Sequence, residues 1–312
     1  MLASVISEPH ISVEERPDPA PEAGEVLVEI KGAGINGADL LQRKGAYPAP
    51  PGAPADIPGL EFAGVVKALG EGAERFSEGD RVMAIAGGGG QAELIAVHER
   101  QLMPVPEGLG WDEAGGLPEV FTTAHDALFT QAELGPGERL LVHGGAGGVG
   151  TAAVQLGRAT GARVTATVRN ADLRAGVEDL GATAIDPEGF EDHGPFDVVL
   201  ELVGAPNLGG NLKALAMDGR IVVIGVGAGP KTDINLLAIM GKRATLRGST
   251  LRARPLEEKA MCARRLEHEV LPLFETGALK VPVAETFPLA EVEAAYERFA
   301  AGGKLGKIVL LT

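Results

Sequence analysis

The feature that most limits what this chain can fold into is a run of glycines at positions 145–150. Leu140-Leu-Val-His143 reads as a short buried strand. Gly145-Ala146-Gly147-Gly148-Val149-Gly150 follows at once, and an apolar-faced helix then runs to Thr160, with Gly161 where a C-terminal cap belongs. Arg163-Val-Thr-Ala-Thr-Val168 supplies the next strand. A strand, a G-x-G-x-x-G turn, a helix and a second strand make up the βαβ unit in which a pyrophosphate meets a helix N-terminus. The glycines let the backbone approach the phosphates, and the free N–H groups of the first helical turn carry partial positive charge.

The motif is informative only through its setting. With 45 glycines in 312 residues a chance match is expected, and Gly32-Ala-Gly34-Ile-Asn-Gly37 is a second one. The helix after Gly37 is short and ends at Gly45-Ala-Tyr-Pro48 with no strand returning, so this match is read as a structural turn. Gly87–Gly90, four glycines with no lysine, is read as a flexible turn and not a phosphate loop.

From about Pro118 onward, strands alternate with helices: Leu140–His143, Arg163–Val168, Phe196–Leu200, Ile221–Ile224 and a last strand at Ala244–Leu251. This alternation predicts an α/β fold with a Rossmann-type, doubly wound parallel sheet. Before it the chain is β-rich, with strands at Val26–Ile30, Phe62–Val66 and Asp80–Ile85 and one short helix near Asp39–Lys44. After it come two helices, near 256–276 and 289–301, and a final strand at Lys307–Leu311 that is placed back on the first part. The expected division is therefore a β-rich domain from 1–116 and 255–312, and a dinucleotide domain from 117–254.

An Asp or Glu at the end of the second strand would bind the ribose hydroxyls and repel a 2′-phosphate. That strand ends Thr167-Val-Arg169-Asn170, and Asp172 comes only after the turn. Arg169 could hold a phosphate in bidentate fashion, which points to NADPH; the alternative is an exposed arginine on a loop. A net charge of −15 without a cationic cluster argues against nucleic acid. The single cysteine, Cys262, allows no intrachain disulfide and fits a reducing compartment. No apolar run has the length of a signal peptide or a membrane span, so the cytoplasm is the expected location.

Several segments together resemble the zinc-free quinone oxidoreductases of the medium-chain dehydrogenase/reductase superfamily. These are Gly34-Ile-Asn-Gly-Ala-Asp-Leu with Arg43-Lys-Gly-Ala-Tyr-Pro48, Pro58-Gly-Leu-Glu-Phe-Ala-Gly-Val-Val66 with Gly79-Asp-Arg-Val82, Leu117-Pro-Glu-Val-Phe-Thr-Thr-Ala124, Val142–Gly150, and Gly306-Lys-Ile-Val-Leu310. The resemblance implies a GroES-like catalytic domain beside the Rossmann domain. It adds Val203, Gly225 and Val226 to the cofactor-binding positions and puts Asn36, Tyr47 and Thr123 near nicotinamide and substrate. Zinc-dependent relatives carry a Cys and a His where Asn36 and Leu60 stand here. The six histidines, at 10, 98, 125, 143, 193 and 268, are scattered without an i, i+4 pair, so no metal is expected.

Without a Lewis acid, an acceptor that needs little activation fits best: a quinone, or an alkene conjugated to a carbonyl. Tyr47 could hydrogen-bond a developing oxyanion or supply a proton; its alternative role is an amphipathic residue at the barrel edge. Asn36 could equally be a turn residue. Glu61 is read as structural, and Asp197 and Glu201 as brackets of a buried strand. Family members often grip a 2′-phosphate with a Lys and a Tyr where Leu173 and roughly Pro187 stand here, and Glu119 and His125 replace more usual apolar and aromatic types. Two other readings remain: an enone or enoyl-thioester reductase on the same fold, or a non-catalytic NADPH-binding structural protein. A homodimer paired through Ala244–Leu251 is expected, since a bare sheet edge tends to be covered.

Overall fold

The computed structural model describes residues 1–312. The chain forms two compact units. One comprises Met1–Thr122, Leu251–Gly302 and Lys307–Thr312; the other comprises Thr123–Thr250 and Gly303–Gly306.

The first unit opens with an antiparallel hairpin, β1 (Leu2–Ser7) and β2 (His10–Glu15). Its main sheet contains β3 (Glu25–Gly34), β4 (Glu61–Leu69), β5 (Arg81–Ile85), β6 (Leu94–His98) and β7 (Met103–Pro104). Two strands from the chain's end join them, β14 (Val283–Pro288) and β15 (Lys307–Leu311). The order is β14-β15-β3-β4-β5-β7, with β6 also pairing β3. Alternation decides the buried face: Val26, Val28 and Ile30 are fully buried and pack with Phe62, Val66 and Val82. The last strand lies antiparallel to β3, with Val309 opposite Gly34.

Gly32 and Gly34 lie inside strand β3, which corrects the reading of this second glycine motif as a turn. Side chains are excluded there by close approach. A Cβ at Gly32 would overlap the Trp111 carbonyl of helix α2 (Trp111–Gly115), and one at Gly34 would overlap the Glu61 carboxylate. Gly88–Gly90 are likewise buried and packed against Pro54, Ile57 and Gly59, so close approach of neighbouring backbone accounts for glycine here.

Helix α1 (Gly37–Arg43) is short, as expected. The C-terminal helix predicted near 256–276 is two helices, α8 (Leu256–Glu269) and α9 (Leu271–Glu275). Pro272 lacks the N–H that would continue the α8 ladder and its ring opposes the preceding turn. Helix α10 (Val292–Ala301) buries Val292, Ala295 and Tyr296 with Ile35 and Ile308.

The second unit contains a six-stranded parallel sheet: β8 (Arg139–Val142), β9 (Arg163–Thr167), β10 (Thr183–Ile185), β11 (Phe196–Glu201), β12 (Leu215–Val223) and β13 (Thr245–Gly248). Their order, β10-β9-β8-β11-β12-β13, reverses direction between β8 and β11. In a doubly wound sheet that switch point opens a crevice at the strands' carboxyl ends. Helix α3 (Pro118–His125) leads into this unit and runs on as a π-helical segment, Asp126–Gln131. The crossover helices are α4 (Gly148–Thr160), α5 (Arg174–Glu178), α6 (Leu208–Ala214) and α7 (Leu236–Lys242). Gly161 caps α4 at φ +86, a conformation that costs glycine nothing.

Candidate functional site

The glycine loop sits at the carboxyl end of β8, at the switch point. Gly144 turns the chain at φ +69, its N–H donates to Thr167 Oγ1 at 3.2 Å, and Gly145 N–H donates to the Thr167 carbonyl at 3.0 Å. The glycines serve different ends. A Cβ at Gly145 would stand 2.7 Å from Ala166 Cβ, and one at Gly150 would overlap the Gly144 carbonyl, so these two let α4 close onto the strands. A Cβ at Gly147 would meet only the Gly144 carbonyl, at 3.5 Å. Packing therefore does not demand glycine there, and its bare backbone leaves room beside the first turn of α4 for a ligand. That turn includes Gly148, Val149 and Gly150, whose N–H groups lie outside the helical ladder. Ala146 is held by its carbonyl, which accepts from Gly306 N–H at 2.8 Å.

Two further turns form the shelf beside this loop. After β11, Glu201 Oε1 accepts from Val203 N–H at 2.7 Å and Gly204 N–H at 2.8 Å. After β12, Gly225 N–H donates to the Glu201 carbonyl at 3.1 Å, and Ala228 N–H to the Val203 carbonyl at 2.9 Å. A Cβ at Gly225 would overlap the Leu202 carbonyl, and Val226 is exposed beside it. The fold thus gathers Gly145–Gly150, Val203, Gly225 and Val226 at the carboxyl ends of neighbouring parallel strands.

Arg169 and Asn170 follow the end of β9, and both are exposed. Asn170 Oδ1 accepts from Asp172 N–H at 3.1 Å, capping a short 3-10 turn. Sequence reasoning missed Arg174 in this region. Its Nε donates to the Val168 carbonyl at 3.1 Å and its Nη2 pairs with Asp186 Oδ2 at 2.5 Å, so its charge is already matched by a carboxylate.

Beneath the glycine loop lies a buried polar network that the sequence did not announce. His143 Nδ1 meets Thr167 Oγ1 at 3.1 Å, its Nε2 meets Asn211 Oδ1 at 2.7 Å, and Asn211 Nδ2 donates to Glu201 Oε2 at 2.7 Å. Burial pushes the imidazole below its ordinary pKa, while the Glu201 carboxylate and the Asn211 hydrogen bond pull the other way. Asp197, at the other end of β11, forms a bidentate pair with Arg139, so the two carboxylates bracket a buried strand as expected.

In the first unit, Asn36 is the N-cap of α1. Its Nδ2 donates to Glu61 Oε1 at 2.9 Å and its Oδ1 accepts from Lys307 Nζ at 2.7 Å. Glu61 is fully buried, ion-paired with Lys307 at 2.6 Å, and accepts from Glu119 N–H at 2.8 Å. Lys307 was not singled out in the sequence; a lysine amid the buried run Ile308-Val-Leu310 was the available signal.

Tyr47 is held by its main chain and by one ring face. Arg252 Nη1 donates to the Tyr47 carbonyl at 3.1 Å, and the guanidinium lies 5.1 Å from the ring centroid. Arg252 is buried and also donates to the Gly87 carbonyl and Gln42 Oε1, which knots three segments together. Burial holds the Tyr47 phenol above its ordinary pKa, with Arg252 opposing this and Glu119 adding to it. Thr123, on α3, is buried in the second unit, whereas Asn36 and Tyr47 belong to the first. Leu60 is buried and apolar, and no three His, Cys, Asp or Glu side chains converge as a metal site anywhere in the chain. No helix is long and apolar enough to cross a membrane.

Comparison with known proteins agrees with this architecture. Residues 22–107 match the alcohol dehydrogenase GroES-like domain family, and residues 180–310 match the zinc-binding dehydrogenase family. The chain is 33% identical to a mouse quinone oxidoreductase over 308 residues, covering 94% of this chain and 91% of that protein. It is 34% identical, over 92% of its own length, to a segment making up 8% of a pikromycin polyketide synthase component from Streptomyces venezuelae. Among solved structures, a mycobacterial protein complexed with NADPH superimposes with a TM-score of 0.88 at 28% identity, covering all of both chains.

Proposed function

Because the chain belongs to the quinone oxidoreductase family of the medium-chain dehydrogenase/reductase superfamily, we propose that it is a metal-free NADPH-dependent reductase of quinones. The observation that carries this reading is the loop at Gly145–Gly150. It stands at the switch point of a parallel sheet and opens a 13-residue helix, and Gly147 is left bare for reasons packing does not supply. The residues present fit a nicotinamide dinucleotide: Gly147–Gly150 would hold the pyrophosphate, Val203, Gly225 and Val226 the nicotinamide half, and Arg169 with Asn170 the adenosine end. No acid stands at the end of β9 to repel a 2′-phosphate, which favours NADPH. When bound, the reduced nicotinamide supplies the hydride.

The protein's own groups supply positioning and charge stabilisation. Burial holds the Tyr47 phenol still further above neutral pH, so it keeps its proton and can donate to an oxygen that gains negative charge. Its carbonyl and ring face are fixed by Arg252, which leaves the hydroxyl to the substrate. Asn36 is oriented by Glu61 and Lys307. Leu60 and Asn36 cannot form a Cys/His zinc pair, and the missing ligand cluster supports metal-free chemistry. The enzyme works as a cytoplasmic homodimer.

The polyketide synthase relatives favour a second reading, reduction of an enone or enoyl thioester. One experiment separates the readings: NADPH consumption with quinones, enones and enoyl thioesters, beside alcohol oxidation with NADP⁺. Quinone turnover supports the first reading and thioester turnover the second. Robust alcohol oxidation, or no consumption with any acceptor, removes both.

A further inference from the structure

Four buried side chains link the glycine loop to the turn after β11. Thr167, His143, Glu201 and Asn211 are 3%, 0%, 1% and 0% exposed. Asn211 donates its Nδ2 to Glu201 Oε2, which leaves its Oδ1 turned toward His143. His143 then carries its proton on Nε2, and its bare Nδ1 accepts from the Thr167 hydroxyl. The Thr167 oxygen in turn accepts from Gly144 N–H. The donors therefore run in one direction, from Gly144 through Thr167, His143 and Asn211 to Glu201. On its other oxygen Glu201 takes Val203 N–H, Gly204 N–H and, at 3.3 Å, Asn207 Nδ2. A single directed chain thus begins at the glycine loop and ends at the Val203–Gly204 turn.

We infer that Thr167, His143, Asn211 and Glu201 form a positioning relay that sets the spacing between the glycine loop and the Val203–Gly204 turn, and so the grip on both ends of a dinucleotide. This inference rests on the dinucleotide reading above. None of the four has been placed against the cofactor or substrate, so they act through the backbone groups they hold. The groups facing His143 are Glu201 from β11 at 3.8 Å, Asn211 from α6, Thr167 from β9 and the ring of Phe190 at 4.6 Å. A second imidazole proton would turn Nδ1 into a donor to the remaining lone pair of Thr167 Oγ1, so this bond would reverse and the hydroxyl proton would lose its acceptor in the relay. Acid therefore opens the relay at the glycine-loop end.

The test uses calorimetric titration with two probes, NADPH and adenosine 2′,5′-bisphosphate, which spans only the adenosine end. Glu201→Gln puts an amide donor where an acceptor is needed. It should weaken NADPH about tenfold or more while leaving the bisphosphate nearly unchanged. Exchanging the two groups, Glu201→Gln with Asn211→Asp, restores every donor–acceptor pair and should recover most of the affinity. In that double variant a carboxylate touches His143 directly and raises its pKa, so the acid loss of NADPH affinity should move to higher pH. A folded Glu201→Gln protein with wild-type NADPH affinity, or a folded double variant that recovers nothing, overturns the relay. If Glu201→Gln does not fold, Thr167→Val decides: it removes the hydroxyl at constant shape, and unchanged NADPH binding overturns the proposal. If the wild-type protein binds neither probe, the dinucleotide reading fails and takes the relay with it.

Discussion

Lys307 Nζ lies 2.6 Å from Glu61 Oε1, and the two side chains are 3% and 0% exposed. The pair joins β15, at the end of the chain, to β4 and also fixes Asn36. Removing one member strands a charge in the interior. Lys307→Met should cost about 3–5 kcal/mol, the usual penalty for breaking a buried pair. Adding Glu61→Gln should restore part of the loss. Urea unfolding of the wild type and both variants checks the order.

Asp39 is fully buried, accepts from Asn36 N–H at 2.8 Å and Gly59 N–H at 3.1 Å, and is pushed up to about 6 by burial. A carboxyl whose pKa is higher in the folded protein favours folding most at low pH and loses that contribution as pH rises from about 4 through about 6. Asp39→Asn removes one backbone acceptor but also the buried charge. Its stability relative to wild type should therefore improve between pH 4 and pH 7, by up to about 3 kcal/mol. A pH-independent difference in unfolding midpoint would contradict this.

Tyr47→Phe should preserve the fold, because Arg252 holds the residue by its carbonyl and ring face. NADPH binding should also persist. Loss of the hydroxyl should lower kcat for two-electron reduction by roughly 10²-fold or more. Steady-state kinetics together with NADPH titration separate this from a folding defect.

Arg169 is exposed at the end of β9 with no acidic residue at that strand end. Arg169→Glu should weaken NADPH about tenfold or more through like-charge repulsion of the 2′-phosphate, and should change NADH far less. Titration of both cofactors into both proteins reads this directly. A wild type that prefers NADH would refute the reading of this strand end.

Strand β13 ends the parallel sheet, and Leu246 on it is exposed, as are Leu237 and Met240 on α7. A second copy of the chain would cover both the unpaired edge and these apolar side chains. The wild-type protein should sediment as a dimer at micromolar concentration, and Leu237→Glu with Met240→Glu should shift it to monomer. A monomeric wild type would remove this expectation.

What could be read from the sequence alone was local. The β8–glycine loop–α4–β9 unit was legible because strand period, glycine spacing and helix cap lie within 30 residues and are set by backbone sterics. So were β3, whose apolar residues alternate onto one buried face, and β4, β11 and the last strand, whose apolar runs are largely buried on both faces. The second glycine motif was misread because its reason is distant: Trp111 and Glu61 fill the space that side chains at 32 and 34 would need. The break between α8 and α9 was missed although Pro272 marks it, because apolar period alone runs through it.

Charge and hydrogen-bond partners were decided only by tertiary structure. Lys307 meets Asn36 across 271 residues, Arg252 meets Gln42 across 210, and His143 meets Asn211 across 68. A buried polar group must find a partner, but nothing in its neighbours along the chain says which one. That choice is made when the strands close into sheets and the interior excludes water. This is why the glycine loop could be recognised from the sequence, while the side chains that hold it could not.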